Sequence, residues 1–241
     1  MSKVLVLFSN SCLASGMFRP LCAWLLLFVV TANAFAAAKP HVVAFGPWTT
    51  VRWDTEGNGS KPLTLKVRPL LVDGRLKEYT LGPPHDVTER LFVVRRAFRL
   101  NDSLPEESAS TPRWQWQRGG WILVDRVSGR VTPVNLPEFD TFSSVAAWYR
   151  DYVAYCGVGE NGGKLYAIVA QLNRRKPVLK KPLGDATSSG APDSACPAPT
   201  WERQPPRVTF EPPGDARQTF AIHGQVADAV TDDDEDSGTS Q

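Results

Sequence analysis

Three histidines and two methionines in 241 residues give little material for metal chemistry. His41, His85 and His223 stand in separate contexts, with no HxH, HExxH or Cys-x-x-Cys spacing, so no metal site is expected. No Gly-x-Ser-x-Gly elbow occurs, and no phosphate-binding loop ends in Lys-Ser/Thr. Gly157-Val-Gly-Glu-Asn-Gly-Gly163 is rich in glycine, but strand-like runs flank it on both sides, and it reads as a hairpin loop. No cofactor is implied. A formal charge of +2 is too small to point to nucleic acid. What is abundant is turn chemistry: 20 prolines and 18 glycines, with 42% hydrophobic residues, favour many short elements over long helices.

Leu21 to Val30 is an unbroken apolar run, with Arg19 before it and Ala32-Asn33-Ala34-Phe35-Ala36 after it. A basic residue, an apolar stretch and small residues at the −3 and −1 positions make a secretory signal peptide, spanning 1–36. Cleavage after Ala34 is the near alternative, and Met17 is an alternative start. If the segment stays uncleaved, Leu21 to Ala38 comes close to the length of a membrane anchor, and only then is a membrane a partner. The expected location is therefore outside the cytoplasm, periplasmic or extracellular.

Export gives the cysteines meaning. Cys12 and Cys22 leave with the signal peptide, so Cys156 and Cys196 remain and are expected to form one disulfide in an oxidising compartment. Charge is also redistributed. Loss of Lys3 and Arg19 leaves acids and bases equal in number, and Asp228, Asp232, Asp233, Asp234, Glu235 and Asp236 concentrate acid in the last residues. Residues 228–241 read as an acidic disordered tail behind a basic body.

Residues 37–184 alternate short β-branched and aromatic runs with turn residues, the pattern of an all-β chain of antiparallel meanders. In Arg113-Trp-Gln-Trp-Gln-Arg-Gly-Gly-Trp-Ile-Leu-Val124, Gly119-Gly120 reads as a two-residue hairpin turn. That register puts Trp116, Arg118, Trp121 and Leu123 on one face, with Gln115, Gln117, Ile122 and Val124 on the other. Ser143 to Tyr149, Tyr152 to Val158, Lys164 to Gln171 and Pro177 to Leu183 read as four strands. An amphipathic helix over 143–156 is the competing reading, and aromatic and β-branched content favours strands. Val72, Val124 and Val169 mark a recurring strand, polar turn and strand.

These units, with turns such as Asp125-Arg-Val-Ser-Gly129, resemble β-propeller blades. The resemblance covers about 145 residues at the level of fold and implies a small or incomplete propeller. His41 to Gly82 and Thr88 to Pro137 would be two further blades beside 143–184. Residues 185–227 read as a proline-rich linker with a terminal hairpin formed by Arg207 to Phe210 and Gln218 to Ile222.

Two surfaces could carry a ligand. Trp114, Trp116 and Trp121 offer a sugar-stacking platform if they are not core. Arg174, Arg175 and Lys176 with Lys180 and Lys181, and separately Arg90, Arg95, Arg96 and Arg99, form basic clusters suited to an acidic glycan or an acidic protein. His85-Asp86 is the most reactive-looking pair, although neighbouring residues seldom orient each other's reactive atoms. The reading that follows is an exported, non-enzymatic interaction or scaffold protein of unknown ligand. The alternative is an exported, glycan-directed hydrolase whose paired carboxylates sequence alone does not locate.

Overall fold

A computed structural model describes residues 40–53, 63–101, 114–186, 193–224 and 226–230. The chain divides into two compact units, Met1–Lys39 and Pro40–Gln241, and all described residues belong to the second. The expected signal peptide and residues 231–241 of the acidic tail lie outside them. Among the described residues every regular element is a strand and every strand pairing is antiparallel, so the chain is all-β. No helix among them is long and apolar enough to cross a membrane.

The first sheet holds β1 (Val43–Phe45), β2 (Thr49–Trp53), β3 (Leu63–Val72), β4 (Arg75–Asp86), β5 (Leu91–Asn101), β6 (Trp114–Asp125) and β7 (Val131–Val134). Its order is β1-β3-β4-β5-β6-β7, and β2 also pairs with β3. The second sheet, β8 (Ala147–Tyr149), β9 (Tyr152–Val158), β10 (Lys164–Gln171) and β11 (Leu179–Asp185), is the expected four-stranded meander, with its first strand starting four residues later than expected and its last displaced by two. Strands therefore prevail over the helix at 143–156. The third sheet, β12 (Thr200–Arg203), β13 (Pro206–Phe210), β14 (Gln218–His223) and β15 (Val226–Val230), is another meander. The expected hairpin is β13–β14. β12 and β15 add to its two sides, so regular structure continues past Asp228, where the tail was expected to begin.

Two expectations are corrected here. Residues 41–82 and 88–137 are not two blades but one sheet, because β4 and β5 hydrogen-bond directly, from Tyr79 opposite Ala97 to Asp86 opposite Phe92. The apparent boundary is a tight turn in which the Val87 and Thr88 amides donate to Leu91 O, at 2.9 and 3.0 Å. Val72 and Val124 accordingly belong to the same sheet rather than to successive repeats. Nor does Gly119-Gly120 turn the chain, because β6 runs straight through it. Arg95 pairs with Trp121 and Ala97 with Arg118, so the two glycines together oppose Arg96 alone and form a β-bulge. The sequence needs glycine there for close approach: a Cβ on Gly119 would meet Arg96 O at 3.1 Å and the Phe98 ring at 3.3 Å. The inserted residue shifts the alternation by one, so Trp116, Arg118, Trp121 and Leu123 still share a face. The expected partition of faces is right, produced by a bulge instead of a turn.

Three apolar clusters hold the fold. Leu70, Phe92, Val94, Ile122 and Val124 form one on the first sheet, with Val43, Phe45 and Val131 packed against it. The second sheet is buried on both faces, which is why β9 shows no polar alternation. One of its faces packs Val169, Leu179 and Leu183 against Val208, Phe210 and Phe220 of the third sheet. Its other face packs Tyr155 and Ile168 against Leu136 and Phe139. A disulfide joins Cys156 on β9 to Cys196 on the segment leading into β12, with Cα atoms 6.0 Å apart and both sulfurs in the core.

Candidate functional site

The site begins with a parting in the first sheet. β3 and β4 pair only as far as Val67 and Leu81, after which β3 pairs with β2 and β4 with β5. The cause is Gly82-Pro83-Pro84. Two successive prolines cannot donate to a ladder, and the left-handed φ of 65° at Gly82 turns the strand away from β3. Beyond this point Leu81 and His85 oppose Arg95 and Val93, so three residues of β4 face Val94 alone. β2 crosses toward β6 on the face carrying Arg95, Arg118 and Trp121, where the Arg118 guanidinium lies 5.0 Å from the Trp53 ring centre. Between the parted strands, that face and β8 lies a hollow of about 810 Å³. This falls within the range of small-ligand sites.

Its walls combine three tryptophans with aliphatic and proline side chains, and its charged groups are two arginines, a lysine and one aspartate. Trp121 and Trp148 meet edge to face with ring centres 5.2 Å apart, and Trp148 stacks on His85 at 5.9 Å. The indole Nε1 atoms of Trp121 and Trp148 are buried without a hydrogen-bond partner among the described residues. Both residues therefore meet the hollow with their rings, and their N–H groups lie within the protein. Arg95 is 9% exposed and directs Nε to Gly119 O at 3.3 Å and Nη2 to Thr141 O at 2.5 Å. Burial, and next the nearby Arg118 charge, lower its pKa to about 10, so it stays cationic at neutral pH. Arg118 forms a two-pronged pair with Asp193, Nη2 to Oδ1 at 2.5 Å and Nη1 to Oδ2 at 3.1 Å. Asp193 is the only acid among the described lining residues, and exposed Lys66 adds a further cation at the parted edge.

The residues singled out from sequence do not stay together. Trp121 lines the hollow, whereas Trp114 and Trp116 lie further along β6 around one guanidinium, with Arg99 at 5.1 and 5.6 Å from their ring centres. Tyr79 closes that second cluster edge to face on Trp116 at 5.0 Å. Trp114 is half exposed. Arg174, Arg175 and Lys176 are exposed on the β10–β11 turn, away from the hollow. The other basic cluster disperses: Arg90 bonds Asp125, Arg96 bonds Glu78, and Arg95 turns inward. His85 and Asp86 diverge, as adjacent strand residues must. His85 Nε2 donates to Arg150 O at 2.9 Å, while Asp86 accepts from Arg126 at 2.6 Å.

The glycine stretch at 157–163 has Gly-x-Gly-x-x-Gly spacing, but it joins β9 to β10 as an antiparallel hairpin. The Gly159 amide donates to Lys164 O at 2.9 Å, and no helix follows to present its N-terminus to phosphate. Among the described residues no group of three His, Cys, Asp or Glu is placed to hold a metal ion. Trp53, Trp148 and Asp193 had no site signal in the sequence, whereas Arg118 was already placed on one face with Trp121. The nearest clue was the double glycine between Arg118 and Trp121. The chain matches no protein-family model, no curated protein and no solved structure.

Proposed function

We propose that this protein is an exported, non-enzymatic binding module that holds a saccharide in the hollow walled by Trp53, Trp121 and Trp148. The observation that carries this reading is the ligand-sized hollow that Trp53, Trp121 and Trp148 line together. A sugar ring suits such a space, because its C–H face lies against the rings while its hydroxyls bond the few polar groups beside them. Export is supported by the apolar run Leu21 to Val30 ahead of Ala34-Phe35-Ala36, and a disulfide is compatible with an oxidising compartment. Binding is preferred to hydrolysis because Asp193 is the only acid among the described residues that line the hollow and is paired with Arg118, while His85 there donates to Arg150 O.

Retention on immobilised oligosaccharides tests the reading. The protein is retained, and replacing both Trp121→Leu and Trp148→Leu, which removes two aromatic walls and keeps apolar bulk, weakens retention by about 2 kcal/mol. Trp114→Phe leaves retention unchanged. Equal retention of all three proteins would remove the hollow from the account. Steady cleavage of the retained saccharide would replace the binding module by the hydrolase.

A further inference from the structure

We infer that the saccharide carries N-acetyl groups, and that an acetamido amide pairs with the open edge of β3 beside the hollow. This rests on the binding reading above and adds the chemical class of the sugar. β3 keeps β2 along one side as far as Leu63, whereas among the described residues no strand pairs with its other side beyond Val67. Two bonds fix the direction of its backbone groups. Pro69 O accepts the Gly46 N–H at 2.9 Å on the side of β1 and β2, and Arg68 O accepts from the Thr80 hydroxyl at 3.2 Å on the side of β4. Backbone groups alternate in direction along an antiparallel strand, so Lys66 and Thr64 direct theirs as Arg68 does, into the gap. β4 cannot complete the ladder there, because Pro83 and Pro84 have no N–H and the strand has turned toward β5. Thr64 and Lys66 are both exposed and both line the hollow. They offer room for one amide and not for a strand, and an acetamido group is a single amide with one N–H and one C=O. Its methyl finds apolar neighbours in Leu65, Leu81, Pro83 and Pro84 beside the same gap. The tryptophans take the ring and the edge takes the substituent. A hydroxyl at that ring position is too short to meet both an N–H and a C=O of the edge, and it buries no methyl.

Titration calorimetry on the full chain compares diacetylchitobiose with cellobiose, which has the same linkage and ring stereochemistry and a hydroxyl in place of each acetamido group. Diacetylchitobiose binds about tenfold more tightly, as hydrogen bonds of ordinary strength to one amide allow. Thr64→Pro removes the N–H on the gap side and leaves the β2 ladder its donors, so it lowers diacetylchitobiose affinity about fivefold and leaves cellobiose affinity unchanged. In the unaltered protein the Thr64 and Lys66 backbone amide signals move downfield with diacetylchitobiose and not with cellobiose, a readout that needs no variant. Equal affinity for the two disaccharides, both weakened by Trp121→Leu with Trp148→Leu, would overturn the N-acetyl group and leave the binding hollow standing. Tighter binding of diacetylchitobiose with the Thr64 and Lys66 amides unmoved would overturn the pairing with β3. A capped alanine tripeptide binding as tightly as diacetylchitobiose would overturn the sugar in favour of a peptide. Binding of neither disaccharide would overturn this inference together with the reading beneath it.

Discussion

Replacing both Cys156 and Cys196 by alanine lowers the unfolding free energy by about 4 kcal/mol, the largest loss expected from any single link in this chain. The two residues are 40 apart in sequence, and closing a loop of that length removes much of the unfolded chain's freedom. The bond also joins parts that few other covalent neighbours join. β9 belongs to the second sheet, and Cys196 lies on the segment that enters the third, among Val208, Phe210 and Phe220. For a unit of this size the midpoint of thermal unfolding falls by on the order of 10 °C. Urea unfolding of the double variant beside the oxidised parent measures the difference. A loss below about 1 kcal/mol would show that the apolar packing of the two meanders holds them without the link. Asp193 lies three residues before Cys196, so the same variant loosens the segment that presents its carboxylate to Arg118.

Phe92→Ala costs about 3–5 kcal/mol. The ring is 1% exposed, lies 5.7 Å from Phe45, and carries the Arg126 guanidinium 4.6 Å above it. It sits in the cluster that joins β1, β3, β5, β6 and β7, so truncation leaves a cavity between strands whose hydrogen-bonded ladders restrict collapse. Trp114→Ala is the contrast, with an expected loss under about 1 kcal/mol because half of that larger ring already faces water. Denaturant unfolding of the two variants decides it. Comparable losses would mean that Phe92 is not a keystone of the first sheet.

How far the sequence could be read depended on whether the signal was local. The second sheet was legible strand by strand, since Tyr152-Val-Ala-Tyr-Cys and Lys164-Leu-Tyr-Ala-Ile-Val are rich in β-formers and turn residues bound them. The first sheet misled where proline and glycine had two meanings. Pro83-Pro84 looked like a break between units but lies within a strand that has parted from one neighbour and kept the other. Gly119-Gly120 looked like a turn and is a bulge, which preserved the partition of faces by the same shift of one residue. The hollow was not legible because tertiary folding assembles it. Arg118 and Asp193 are 75 residues apart, and Trp148 reaches His85 from another sheet. Trp121 was singled out with Trp114 and Trp116 because a hairpin at Gly119-Gly120 would fold them back onto one face, yet the strand runs straight and separates them into two clusters. His85-Asp86 attracted notice by adjacency, and adjacency on a strand directs side chains apart.

The central claim is that Trp121 and Trp148 wall a ligand site, and each of the eight tryptophans contributes an indole signal to a proton–nitrogen correlation spectrum. Titration with a soluble oligosaccharide should shift the Trp121 and Trp148 indole signals together and saturably, with the Trp114 signal unmoved. Movement of Trp114 and Trp116 with Trp121 and Trp148 stationary would place the ligand on the outer aromatic cluster around Arg99 and contradict the account.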